Sequence, residues 1–143
     1  MRVMVIVKAT DRTEAGLQDP SGDAMNSFND ELVQAGVLLA AEGLRPSSAG
    51  ARLTWTSDGS LVRTDGPFTE AKELVAGYWI WQVRSLDEAI EWLKRSPFRA
   101  PFQIEVRPIH EWDEHDERVL AATEARQAVD QQLRATGADQ MRR

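Results

Sequence analysis

The chain has 143 residues, the size of one ordinary domain, and a second independent core would be undersized. Apolar residues make up 42% and charged ones 28%, which excludes wholesale disorder. With 17 basic against 23 acidic side chains and net charge −6, the surface repels phosphate backbones, and the close basic cluster Lys94, Arg95 and Arg99 is too small for a nucleic-acid footprint.

No cysteine is present, so disulfides, thiolate catalysis and Cys-type metal centres are excluded. The N-terminal apolar run Val3 to Val7 lies between Arg2 and Lys8. It falls short of the ~7–15 residue core of a signal peptide and of the ~20 residues of a membrane span. A soluble cytoplasmic protein with no nucleic-acid or membrane partner is therefore expected.

Arg2 to Lys8 reads as a first strand. Val3, Val5 and Val7 alternate with Met4 and Ile6, so both faces are apolar and burial on both sides is expected. A polar loop over Asp11 to Gly22 precedes a helix whose Met25, Phe28, Leu32 and Ala35 recur at three- and four-residue steps, with Gly36 as its terminator. Val37 to Leu44 forms the second strand. Arg52 to Thr56 and Leu61 to Asp65 flank Ser57-Asp58-Gly59-Ser60, predicting a hairpin arm with a type I′ turn.

Leu74 to Arg84 is the third core strand, with Trp79 and Trp81 on one side and Tyr78 and Ile80 on the other. Ser85 and Glu88 form a capping box for a second helix carrying Leu86, Ala89, Ile90 and Leu93, which stops at Ser96-Pro97. Gln103 to His110 is the last strand, and Pro108, lacking an amide donor, suits a sheet edge. Glu114 to Thr136 then reads as a C-terminal helix with a thin stripe of Val119, Ala122, Val129 and Leu133. The order is that of an α+β ferredoxin-like βαββαβ fold with an inserted β-hairpin and a C-terminal helix. The core domain is set at residues 1–110, and residues 111–143 form an acidic linker and the helix.

Two helices cover only one face of such a sheet. Each exposed Trp, Tyr, Val or Ile on the other forgoes ~1.5–3 kcal/mol of burial, so a cover is required. Either the C-terminal helix folds back or two subunits pack sheet against sheet about a two-fold axis. The narrow, Ala-rich stripe of the helix favours a homodimer.

Charged residues inside strands draw attention because burial unpaired is costly. Glu42, Glu105, Arg107 and Lys8 are such residues. As edge charges on a solvated face they would discourage aggregation; with Glu42 and Glu105 facing a dimer cleft, one of the two would have a raised pKa and act as acid or base, and Arg107 would bind an anionic group. In the Asp65 to Phe68 turn, Asp65 either accepts backbone amides or stands at the cleft mouth as base or anchor with Lys72 as counter-charge, and Gly66 is expected to take a φ that other residues resist. Trp79 fills the core or lines a ligand site. The run His110 to His115 is one residue longer than a zinc-protease H-E-x-x-H, so its imidazoles would not converge, and no metal site is assigned. No phosphate loop, nucleophile elbow or dinucleotide fingerprint occurs, and no cofactor is expected.

The run Asp65-Gly66-Pro67-Phe68-Thr69-Glu70-Ala71-Lys72-Glu73, followed by Gly77-Tyr78 and by Ser85-Leu86-Asp87-Glu88-Ala89, resembles the DGPF family of YCII-related proteins. So do Ala35-Gly36-Val37-Leu38-Leu39 with Glu42-Gly43-Leu44, and Ile104-Glu105-Val106-Arg107-Pro108. The resemblance spans Met1 to Ile109. It implies a ferredoxin-like subunit of the dimeric α+β barrel superfamily, in which two open sheet faces meet and leave a cleft. It also implies an association of many members with extracytoplasmic-function sigma factors, which is not an activity. Better-studied YCII-like relatives pair a histidine with an aspartate in that cleft. The histidines here are His110 and His115, at the end of the similar region and beyond it, so that pair does not transfer.

The expected function is therefore a homodimeric, cofactor-independent protein that binds a small organic ligand or performs acid–base chemistry on it. Catalytic residues would be Asp65, Glu42 and Glu105, and substrate-binding residues Arg107, Lys72, Lys8 and Trp79. The competing expectation is a non-catalytic accessory or regulatory module that contacts a partner through its C-terminal helix.

Overall fold

The computed structural model describes residues 1–70 and 73–111, together with residues 121, 124, 125, 128 and 129. The chain divides into two compact units, Met1–Ile109 and His110–Arg143. In the first, the order is β1 (Arg2–Lys8), α1 (Asp11–Glu14), α2 (Gly22–Gln34), β2 (Leu38–Gly43), β3 (Ala51–Trp55), β4 (Leu61–Asp65), β5 (Val75–Gln82), α3 (Leu86–Lys94) and β6 (Ile104–Pro108). The main sheet runs β2-β5-β1-β6, and β3-β4 form a separate hairpin. All pairings are antiparallel. With the hairpin set aside, this is the ferredoxin-like strand order, and the doubly apolar strands β1 and β5 are central.

Register assigns every side chain to a face. Val5 pairs with Trp79 and Val106, and Val3 with Trp81. This set packs with Phe28 and Leu32 of α2 and Ala89 of α3 into the core. Phe28 meets Trp79 and Trp81 edge-on at 6.0 and 6.2 Å between ring centres, contacts worth ~0.5–1.5 kcal/mol each beyond burial. The alternate set, Met4, Ile6, Tyr78 and Ile80, faces away from the helices. In the single chain it is half-buried, whereas Val3, Val5 and Trp81 have no exposed surface. Within the unit Met1–Ile109 the central strands are thus sealed on one face only, because α2 and α3 both pack on that side.

Local signals act largely as expected. Gly36 has φ +70°, and the amides of Gly36 and Val37 return to the carbonyls of Val33 and Leu32, which closes α2 in a Schellman motif. Ser85 Oγ accepts from the Glu88 amide at 3.2 Å. The reciprocal half of the expected capping box shifts by one residue: the Glu88 carboxylate accepts from the Arg84 amide at 2.6 Å, and from its guanidinium. These bonds, the backbone one foremost, hold the Glu88 carboxyl below its ordinary pKa. The segment expected as a loop contains α1, because Thr10 and Thr13 form a complete capping box.

Two turn expectations are corrected. The hairpin turn is not type I′, which needs positive φ at both central residues. Gly59 has φ +84° and Asp58 does not have a positive φ; the Gly59 amide closes on the Thr56 carbonyl at 2.9 Å. Asp58 instead accepts from Ser60 and Thr56, which holds its carboxyl far below the ordinary range. Gly66, for its part, does not adopt a left-handed φ. A Cβ there would lie 1.8 Å from the Ser47 carbonyl oxygen, so glycine is required by close backbone approach.

The turn after Gly66 is docked by a polar hub. The Phe68 amide donates to Ser47 Oγ at 3.0 Å, and Ser47 donates its amide and hydroxyl to the Glu14 carboxylate. The Arg52 guanidinium stacks over the Phe68 ring at 4.0 Å. Most of the expected C-terminal helix, Glu114 to Thr136, with Val119, Ala122 and Leu133 of its stripe, lies outside the described residues. Ala121, Glu124, Ala125, Ala128 and Val129 are helical.

Gly66→Ala is expected to lower unfolding stability by ~1–3 kcal/mol, because the obstructing atoms are backbone. Urea denaturation checks it, and an unchanged midpoint would show that the Ser47 loop yields freely.

Candidate functional site

On the helix side of the sheet, Gly43 of β2 pairs with Gly77 of β5. Two glycines in register leave the sheet without side chains beside Trp79, and a Cβ on Gly77 would stand 2.8 Å from the Glu42 carbonyl oxygen. The gap is the floor of a cavity of about 420 Å³, within the ~300–1,000 Å³ usual for small-molecule sites.

Its walls come from three segments. Leu17, Asp19 and Pro20, in the loop between α1 and α2, form one side; the Arg12–Asp19 ion pair at 2.9 Å ties that loop to α1. Met25, Asn26 and Asn29 of α2 form the roof. Phe98 and Phe102 complete an aromatic side, with Trp79 to Phe98 at 5.8 Å and 78° and Phe98 to Phe102 at 4.9 Å. The Trp79 indole N–H donates to Asn29 Oδ1 at 2.9 Å.

The candidate residues separate into three places. Trp79 lines this cavity, and Glu42 borders it. Register pairs Glu42 with Tyr78, however, so its side chain stands on the open sheet face. Glu105 and Arg107, paired with Ile6 and Met4, share that face. There Lys8 lies 3.5 Å from Glu105, and Arg107 lies 3.7 Å from it.

Asp65 ends the hairpin arm, about two-thirds exposed, and accepts from Arg63 Nε at 2.8 Å. It is not among the residues lining the cavity. Lys72 and His115 lie outside the described residues. Among the described residues, no group of three or more acids or histidines is arranged to hold a metal ion, and no helix is long and apolar enough to cross a membrane.

Sequence reasoning passed over Asn29, Ser47 and Glu14. Asn29 follows Phe28, one position off the apolar stripe, and no spacing marks it. Ser47 and Glu14 sit in polar stretches without a periodic signal, and their partners are 33 residues apart.

Residues 1–113 match the YCII-related domain. The chain belongs to the YCII-related family. The span includes the whole compact unit Met1–Ile109 and both the cavity and the ionic cluster of the open face. An uncharacterized protein of Rhizobium meliloti (strain 1021) is 32% identical over 87 residues, covering 59% of this YCII-related chain and 69% of that protein. Among solved structures, 5-chloro-2-hydroxyhydroquinone dehydrochlorinase from Burkholderia phenoliruptrix AC1100, in complex with 2,5-dihydroxybenzoquinone, is similar over 78% of this chain and 96% of its own. The identity is 17% and the TM-score 0.41.

Proposed function

We propose that this YCII-related chain is a cofactor-independent small-molecule-binding protein that works as a homodimer, with the ligand received in the cavity over Gly43 and Gly77. The observation that carries the binding role is the paired loss of side chains in the sheet beneath an aromatic wall. Gly77 is held to glycine by the Glu42 carbonyl, but a Cβ on Gly43 would meet nothing within 4 Å, so a sheet that only needed a core would fill the gap from that position.

The homodimer is supported by the half-buried Met4, Ile6, Tyr78 and Ile80. They form one contiguous patch across the two central strands, and a second copy of the same patch is self-complementary about a two-fold axis. The YCII-related domain is taken to end near residue 110, with residues 111–143 as an appended linker and helix.

A second reading, proton transfer in the cleft between subunits, is favoured by one observation: Glu42, Tyr78, Glu105, Arg107 and Lys8 share the face on which the second copy would pack. Glu42 and Glu105 would serve as acid and base, and Arg107 and Lys8 would hold an anionic group. Asp65 and Lys72 would stand at the mouth of that cleft.

In sedimentation at micromolar concentration, the wild type is expected at twice the 16.0 kDa chain mass, and Ile80→Glu at the single mass. A wild-type species of 16.0 kDa contradicts sheet-to-sheet packing. Crystals soaked with aromatic fragments should show density between Gly43, Trp79 and Phe98, lost in Gly43→Leu, whose side chain would project into open space. Fragments seated only against Glu42 and Glu105 would transfer the function to the second reading.

A further inference from the structure

We infer that the cavity takes an uncharged planar molecule carrying a hydrogen-bond acceptor, and that Asn29 is the residue that reads this acceptor. The inference rests on the binding role proposed above. An indole N–H only donates, so the Asn29 atom 2.9 Å from Trp79 Nε1 is the carbonyl oxygen Oδ1. That bond sets the rotation of the carboxamide and leaves its NH2 group as a donor at the cavity wall. Among the described residues this NH2 has no protein partner, and a half-buried donor is best met by an acceptor on the ligand.

Charge excludes the anionic alternative. Among the described residues no Lys, Arg or His lines the cavity, so an anion would lose its hydration without gaining a counter-charge from them. A cation fares little better. Of the two lining carboxylates among the described residues, Asp19 is already paired with Arg12, and the Glu42 side chain stands on the opposite face of the sheet. The free group of Asn29 presents hydrogens, which repel a cation. The rings of Trp79 and Phe98 lie nearly perpendicular, at 78°, so a flat molecule stacked on one meets the edge of the other, the preferred aromatic geometry.

Four probes of one shape test this on the full chain labelled with nitrogen-15: benzamide, benzoate, benzylammonium and toluene. Benzamide is expected to shift the Trp79 indole and Asn29 carboxamide signals and to bind at least tenfold tighter than benzoate or benzylammonium. Asn29→Asp is isosteric and still accepts from Trp79, but it replaces the donor with a negative oxygen; its preference should turn to benzylammonium. Trp79→Phe keeps a ring and removes the bond that orients the amide, so the ratio of benzamide to toluene affinity should fall about tenfold.

Benzoate binding as tightly as benzamide, with the same two signals moving, overturns the ligand class while the cavity role stands. Asn29→Asp and Trp79→Phe proteins that both keep the wild-type preference overturn the role of Asn29. If none of the four probes moves the Trp79 signal at saturation, the binding role fails and this inference with it.

Discussion

The controlling constraint is geometric: β1 and β5 carry large apolar side chains on both faces, and α2 and α3 cover only one. Val3, Val5, Trp79 and Trp81 are sealed beneath α2 and α3. Met4, Ile6, Tyr78 and Ile80 have no such roof among the described elements of the unit Met1–Ile109. Full burial of such a side chain is worth ~1.5–3 kcal/mol. Four partly exposed ones are therefore significant against the ~5–15 kcal/mol that separates folded from unfolded states. The homodimer proposed above would cover this face with a second copy of itself.

The same register that creates this surplus on one side creates a deficit on the other. Along the helix-facing rows, bulky residues fill the layer until Gly43 meets Gly77, where the sheet offers only backbone. The space is bounded by rings held edge to face and by an amide locked onto an indole. For the ligand proposed above, this ordering would precede binding and reduce the entropy lost. The acids of the open face belong to a different environment, where Lys8, Glu105 and Arg107 compensate one another.

Much of the fold was legible because its signals are local or periodic. Alternation marked β1 and β5, three- and four-residue spacing marked α2, Gly36 marked its end, and Pro108 marked β6 as an edge. What was not legible depends on parity or on distant partners. Alternation shows that Glu42 and Ala41 face opposite ways, but only pairing with β5 tells which way is toward the helices. The need for glycine at position 66 lies in the Ser47 carbonyl, far away in sequence. The orientation of the Asn29 carboxamide depends on an indole 50 residues on. Hydrogen bonds of this kind leave no periodic trace.

The sheet-to-sheet arrangement is tested most directly by nuclear Overhauser spectroscopy, filtered for contacts between molecules, on a mixture of carbon-13-labelled and unlabelled chains. Intermolecular cross-peaks from the methyl groups of Met4, Ile6 and Ile80 are the predicted result. Their absence, or cross-peaks confined to exposed Leu53 and Leu61 of the hairpin arm, would contradict it.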